Sequence, residues 1–333
     1  MKILYLSCHS ILEYDEVKLL SELGADVFSW GAYRDPSNPG EKRRPALDIT
    51  VHKEFIDLTE GDNKENIPQE LIDWADVVIC MHVSKWLAVN WEKLKGKTVV
   101  LRTIGQNTLE NEGHARALRY AGLKIIRYSP RERTIPGYAG EDALIRFYKD
   151  PQEFNNWNGK KKQVLTISQS MKDRENSCNY TFFKDATDGF PRVLYGTPSK
   201  QPDELWKGEI SYDKMKQELR DSRVYFYTGT YPASYVLNFM EALMTGCPIV
   251  ALGPLLGNSP THPDQQTYEV ADFSENDTNL LLADDIYTAR KHISRLMTDD
   301  AFAAQISANA RATALKYFDK EIIKAQWKQF LGL

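Results

Sequence analysis

The sequence predicts an α/β protein made of two consecutive domains of alternating strand and helix. Three observations predict it. The 333 residues exceed the ~250–300 at which single cores stop growing, so the chain divides. Apolar strand-like runs alternate with helical segments in two series, separated by the turn-rich "KDPQEFNNWNGKKK" at 149–162. The strand runs also lack a clean polar face, the pattern of a parallel sheet covered by helices on both sides. The boundary is placed near residue 156, giving an amino-terminal domain 1–156 and a carboxyl-terminal domain 157–333, whose last helix crosses back.

Taken in order, "KILYLS" at 2–7 reads as a buried strand, and "YDEVKLLSEL" at 14–23 spaces Val17, Leu20 and Leu23 as a helix before Gly24 stops it. "ADVFSW" follows as a strand. Residues 31–68 are rich in Pro, Gly, Asp and Asn and read as a long surface excursion. Next come "QELIDWA" as a helix, "DVVICMH" and "KTVVLRTI" as strands, "NTLENEGHARALRYA" as a helix, "LKIIRYS" as a strand and "EDALIRFY" as a short helix. The second series runs through strands "QVLTIS", "RVLYG", "RVYFYT" and "PIVALG". Its helices are "SCNYTFFKDAT", "SYDKMKQELRD" and "SYVLNFMEALMTG", with an irregular stretch at 253–278 and three closing helices around 284–297, 299–317 and 319–330. In the last of these, Ile323, Trp327 and Phe330 are expected to dock on a domain surface.

Composition narrows the function classes. With 42 Lys and Arg against 46 Asp and Glu, the net charge is −4, so bulk attraction to nucleic acid is weak. Local basic runs remain in "EKRRP", "GKKKQV" and the Arg127, Arg131 and Arg133 cluster. The four cysteines are scattered without a CxxC pair, so neither a disulfide framework nor a zinc site is indicated. Met1 leads directly into the first strand, and no apolar run approaches the ~18 residues of a spanning helix. Residence in the cytoplasm is the expectation.

Ligands of such sheets gather beyond the carboxyl ends of the strands. In the second domain that rule selects "TGTYPASYVLNFMEALMTGCPIVALG" at 228–253. Ser234 reads as the N-cap of a helix whose open amides would hold a phosphate. Gly229 and Thr230 form the near edge of that pocket. Glu241 departs from the apolar stripe of Val236, Met240 and Leu243. It reads either as a solvated or salt-bridged glutamate or as a carboxylate accepting from two vicinal ribose hydroxyls.

This stretch resembles the carboxyl-terminal domain of GT-B glycosyltransferases, especially the retaining group typified by glycosyltransferase family 4. The likeness lies in "EALMTGCPIVA" at 241–251, with its Glu-Ala-small segment, Gly-Cys-Pro turn and Val-Ala strand. The resemblance implies two Rossmann-like domains facing across an interdomain cleft. It also implies a nucleotide diphosphate sugar, UDP- or GDP-linked, as donor, with no metal and no tightly bound cofactor. The later glutamate of the family's Glu-x7-Glu motif falls on Glu241 and implies ribose binding; the earlier one falls on Ala233, a departure that leaves the transferred sugar without its usual carboxylate. "VLTISQSMKDR" at 164–174 resembles the segment that carries the family's diphosphate-binding cations, which assigns Lys172 and Arg174 to leaving-group stabilisation. Gly196 and Thr197 are expected near the nucleoside, and the backbone of Ala233, Ser234 and Tyr235 near the diphosphate.

The first domain is then the acceptor side. His82 and Glu132 are its candidate catalytic groups, and Arg102, Gln106, Arg127, Arg131, Arg133 and Tyr138 its candidate acceptor ligands. A glycan, a lipid-linked intermediate, a small molecule or DNA with a hydroxylated base would each supply the hydroxyl. Two readings of another class stand beside this one. Ala233 motivates a non-catalytic nucleotide-sugar binding protein. A dehydrogenase shares the strand and helix alternation, but no GxGxxG follows either domain's first strand.

Overall fold

The computed structural model describes residues 1–39, 44–106, 108–258 and 265–333. Most of the basic run at 41–45, and Asn107, lie outside them. The described chain divides into two compact units, Met1–Phe147 with Glu321–Leu333, and Tyr148–Lys320.

In unit 1, strands β1 (Lys2–Leu6), β2 (Asp26–Trp30), β3 (Val77–Met81), β4 (Thr98–Arg102), β5 (Lys124–Arg127) and β6 (Ala143–Leu144) form one sheet. Its order is β2-β1-β3-β4-β5-β6, and every pairing is parallel. Helices α1 (Ser10–Glu22), α2 (Lys53–Leu58), α3 (Gln69–Trp74), α4 (Ser84–Leu94) and α5 (Leu109–Arg119) connect the strands. Leu4, Leu6, Phe28, Val78, Cys80, Leu101 and Ile125 share a buried core. Because both faces are covered, these strands bury consecutive residues, as their unbroken apolar runs require.

In unit 2, β7 (Lys161–Ile167), β8 (Arg192–Tyr195), β9 (Ser222–Tyr227), β10 (Ile249–Leu252) and β11 (Leu281–Ala283) form a second parallel sheet, in the order β11-β10-β9-β7-β8. Its helices are α6 (Glu175–Cys178), α7 (Tyr180–Ala186), α8 (Tyr212–Asp221), α9 (Leu237–Thr245), α10 (Pro254–Gly257), α11 (Ile286–Thr298) and α12 (Asp300–Phe318). The last helix, α13 (Lys320–Leu331), buries Ile323 and Trp327 and belongs from Glu321 onward to unit 1.

Several elements differ from expectation. Residues 141–148 are not helical: Ala143 and Leu144 pair with Ile126 and Arg127 as an edge strand, and Asp142 N and Ile145 N donate to β5 carbonyls. Buried Ile145 and Phe147 alternate with half-buried Leu144 and Arg146, a period of two. The helix expected over 177–187 is broken into α6 and α7 by Asn179, whose φ of 50° is left-handed. Helix α9 starts at Leu237, not at Ser234; its N-cap is Val236 and carries no side-chain cap. The stretch 31–68 is not a bare surface excursion, since Tyr33, Leu47, Phe55 and Ile67 are buried and His52 and Phe55 pack on Trp74. Helix α4 and strand β11 were not anticipated.

Candidate functional site

Both sheets reverse their winding at one place. In unit 2 the chain leaves β7 toward β8, then returns to β9 and continues outward to β10 and β11. The crevice beyond the carboxyl ends of β7 and β9 is therefore the topological switch point at which open α/β sheets take their ligands. Two loops frame it, 168–174 after β7 and 228–236 after β9.

The first loop is stitched to the end of β8. Ser168 N donates to Tyr195 O at 2.9 Å, Ser170 N to Thr197 O at 3.0 Å, and Thr197 N to Gln169 Oε1 at 2.7 Å. Gly196 has φ +139°, and a Cβ there would lie 2.1 Å from the Ser168 carbonyl oxygen. Only glycine lets these two backbones approach so closely. After Ser170, left-handed at φ 44°, a 3-10 turn over Met171–Arg174 presents the cations. Exposed Lys172 donates from Nζ to Gln201 O at 3.1 Å, and half-buried Arg174 from Nη1 to Gln169 O at 3.3 Å. Beside them lies a recess lined by Lys172, Tyr180, Thr197, Ser199, Asp203 and Trp206.

The second loop turns at Gly229, φ +77°. Ala233 N donates to Thr230 O at 2.8 Å, and Thr267 Oγ1 to Pro232 O at 2.6 Å. Ala233, Ser234 and Tyr235 are buried. Val236 N donates to the Tyr227 hydroxyl at 3.2 Å. Leu237 and Asn238 open α9, and their amides have no acceptor within the helix. Asn238 Nδ2 reaches across to Ile167 O, the last residue of β7, at 3.0 Å.

Glu241 lies one turn further into α9 and is fully buried. Its Oε1 pairs with Lys149 Nζ at 3.0 Å, and Lys149 is itself only 2% exposed. The salt bridge that periodicity left open is present, and it lies inside the unit rather than in solvent. The whole helix from Phe239 to Thr245 is buried, so the apolar stripe had no polar face to contrast with.

At the strand tips of unit 1, two expected acceptor ligands, Arg102 and Arg127, and one expected catalytic group, Glu132, are corrected. Arg102 is fully buried. Its Nε donates to Glu16 Oε1 at 2.7 Å and its Nη1 to Ile145 O at 2.6 Å, while Phe147 covers the guanidinium at 4.0 Å. Arg127 makes a bidentate pair with Glu112 at 2.6 and 2.8 Å, both residues enclosed. Glu132 caps its own turn, accepting from Tyr128 N at 2.9 Å and Ser129 N at 3.3 Å. Burial pushes its carboxyl above the usual range, against the opposing pull of Arg127. Three strand-end charges are therefore internal anchors. His82, half-buried with φ 67°, Arg131 and Tyr138 are partly accessible, while Gln106 and Arg133 are exposed. Arg133 and Tyr138 both engage Glu141, Tyr138 through its hydroxyl at 2.6 Å.

Sequence reasoning missed Asn238 and Lys149. The signal for Asn238 was its place in the first turn of a helix at a switch point; nothing local marked Lys149, 92 positions before its partner. Among the described residues no group of three His, Cys, Asp or Glu is arranged to hold a metal ion, and no helix is long and apolar enough to cross a membrane.

No protein-family model matches the chain, and no curated protein matches it by sequence. Solved structures do match it from end to end. The Anabaena protein HepE, in complex with UDP and glucose, superposes with a TM-score of 0.72 at 16% identity, covering 100% of this chain and 99% of that one. A sucrose-phosphate synthase from Thermosynechococcus elongatus gives 0.71 at 14% identity, covering 99% and 98%. An alpha-glucosyltransferase in complex with UDP and a 13-mer DNA containing an HMU base gives 0.58 at 12% identity, covering 100% and 98%. The chain has the two-domain, Rossmann-like GT-B fold.

Proposed function

We propose that this chain is a glycosyltransferase, akin to glycosyltransferase family 4, that moves a sugar from a nucleotide diphosphate sugar to a hydroxyl-bearing acceptor in the cytoplasm. The full-length likeness to HepE solved with UDP and glucose carries the reading, and a unit 2 switch point whose loops bear two cations and glycine-tight turns supports it. In the reaction the acceptor oxygen bonds to the anomeric carbon as the bond from that carbon to the diphosphate breaks. The hydroxyl proton passes to the departing phosphate oxygen, with retention of configuration.

Lys172 and Arg174 stabilise the charge that develops on the diphosphate. Gly196, Thr197, Gly229 and Thr230 border the nucleoside and phosphates, and the open amides of α9 face the diphosphate. His82, Gln106, Arg131, Arg133 and Tyr138 are the proposed acceptor-side groups. Ala233 means that no carboxylate at that position engages the donor sugar.

The test is release of free UDP or GDP on adding acceptor, across glycans, small hydroxylated molecules and hydroxymethylated duplex DNA. Lys172→Ala with Arg174→Ala should slow turnover at least tenfold while the melting temperature holds; normal turnover rejects their role. Nucleotide binding without acceptor-dependent release would instead make the chain a binding protein.

A further inference from the structure

Glu241, the carboxylate that the motif would place on the ribose, is tied to Lys149 through Oε1, and the fold supplies a neutral acceptor one turn earlier. Asn238 and Glu241 stand three residues apart on α9, hence on neighbouring positions of one face. Glu241 is sealed, with Lys149 Nζ at 3.0 Å and its backbone oxygen accepting from Thr245 Oγ1 at 2.8 Å. Asn238 remains partly accessible. Its Nδ2 is committed to Ile167 O at 3.0 Å, and the Tyr225 hydroxyl, itself 3.4 Å from the same carbonyl, lies beside it. A carbonyl accepts and never donates, so this bond fixes the amide orientation and sets Oδ1 on the opposite side. The first turn of α9 thus holds a pre-oriented acceptor atom, and the ligand group complementary to it is a hydrogen-bond donor, which on a ribose is a hydroxyl.

Resting on the donor-site reading above, we infer that Asn238 Oδ1 accepts a hydrogen bond from a ribose hydroxyl of the donor, while Glu241 and Lys149 form a structural anchor that holds α9 in place. The division is physical. Lys149 neutralises Glu241 through Oε1 inside the unit, whereas Asn238 brings a neutral amide oxygen to the accessible start of α9, the match for a neutral hydroxyl.

Binding of UDP and of 2′,3′-dideoxy-UDP, or of the matching GDP pair where UDP does not bind, tests the assignment in the unsubstituted chain and in two variants. The unsubstituted chain should prefer the ribonucleotide by roughly three- to tenfold, the worth of one neutral hydrogen bond. Asn238→Ala should bring that ratio close to one. Glu241→Gln should keep the ratio and lower the melting temperature; Lys149→Met combined with Glu241→Gln, which leaves no buried charge, should keep the ratio and recover part of the melting temperature. A ratio that collapses in the Glu241 variants but survives Asn238→Ala overturns the inference and leaves the donor site standing, as does an unsubstituted chain that binds both nucleotides equally. An unsubstituted chain that binds neither UDP nor GDP overturns the donor site and this inference with it.

Discussion

Arg127 and Arg133 lie six residues apart in one basic cluster and have opposite fates. Arg127 shares two hydrogen bonds with Glu112 in a fully enclosed pair, whereas Arg133 reaches Glu141 from the surface, 57% exposed. Removing one partner of a buried pair strands the other, so Arg127→Met should cost about 3–5 kcal/mol. Arg133→Ala should cost less than about 1 kcal/mol. Urea unfolding of the two variants measures the contrast, and equal losses would contradict the assignment of Arg127 as an internal anchor. Asp221 offers a pH test. Burial raises its carboxyl, but hydrogen bonds from Asn158 and Gln217 and the Lys160 ammonium outweigh that and hold it down at about 2. Its folded value therefore lies below the ~3.9 of an unfolded aspartate. Its contribution to stability is complete above that unfolded value and is lost as pH falls toward 2. Asp221→Asn should flatten the loss of stability between about pH 4 and pH 2; an unchanged acid limb would contradict it.

Among the elements, the loops that stitch β7 to β8 make the sharpest demand. A methyl group at Gly196 would meet backbone at 2.1 Å, at a φ of +139°. Gly196→Ala should cost about 1–3 kcal/mol and weaken nucleotide binding with it, because the Ser168 turn must move. Retained affinity in a destabilised variant would separate the turn from the site. The strands were legible because their apolar runs are long and doubly covered. Edge strand β6 was not, since two half-buried residues and a following period of two look like a short helix when only "EDALIRFY" is read. The helix start at Leu237 was obscured for a different reason. Ser234 has the chemistry of a cap, but a local turn bond, Ala233 N to Thr230 O, and two tertiary bonds, Pro232 O from Thr267 and Ser234 O from Glu269 N, take the loop instead. Lys172 and Arg174 were singled out by the resemblance of "VLTISQSMKDR" to the family's segment, and both lie on the loop that follows β7. Glu241 was legible as a special residue and not as a buried one, because its partner is a lysine 92 positions earlier.

On the scale of the whole molecule, the two strand and helix series and the returning last helix carry the architecture. Trp327 is 1% exposed and lies 5.9 Å from the buried Arg102 guanidinium, so the chain's last helix completes unit 1. Trp327→Ala should cost unit 1 about 3–5 kcal/mol, the loss typical of a large buried aromatic. Intrinsic fluorescence and circular dichroism followed through urea would register it, and an unshifted midpoint would contradict the docking. The donor site proposed for unit 2 lies beyond β7 and β9, where the order of that sheet reverses. Thermal unfolding in the presence of a panel of UDP- and GDP-sugars tests that claim most directly. At a concentration one hundred times its dissociation constant, a bound donor adds about 2.7 kcal/mol, or roughly 5–10 °C for a unit of this size. One nucleotide sugar should raise the transition by that amount; no shift with any of them at saturating concentration would contradict a donor site in unit 2.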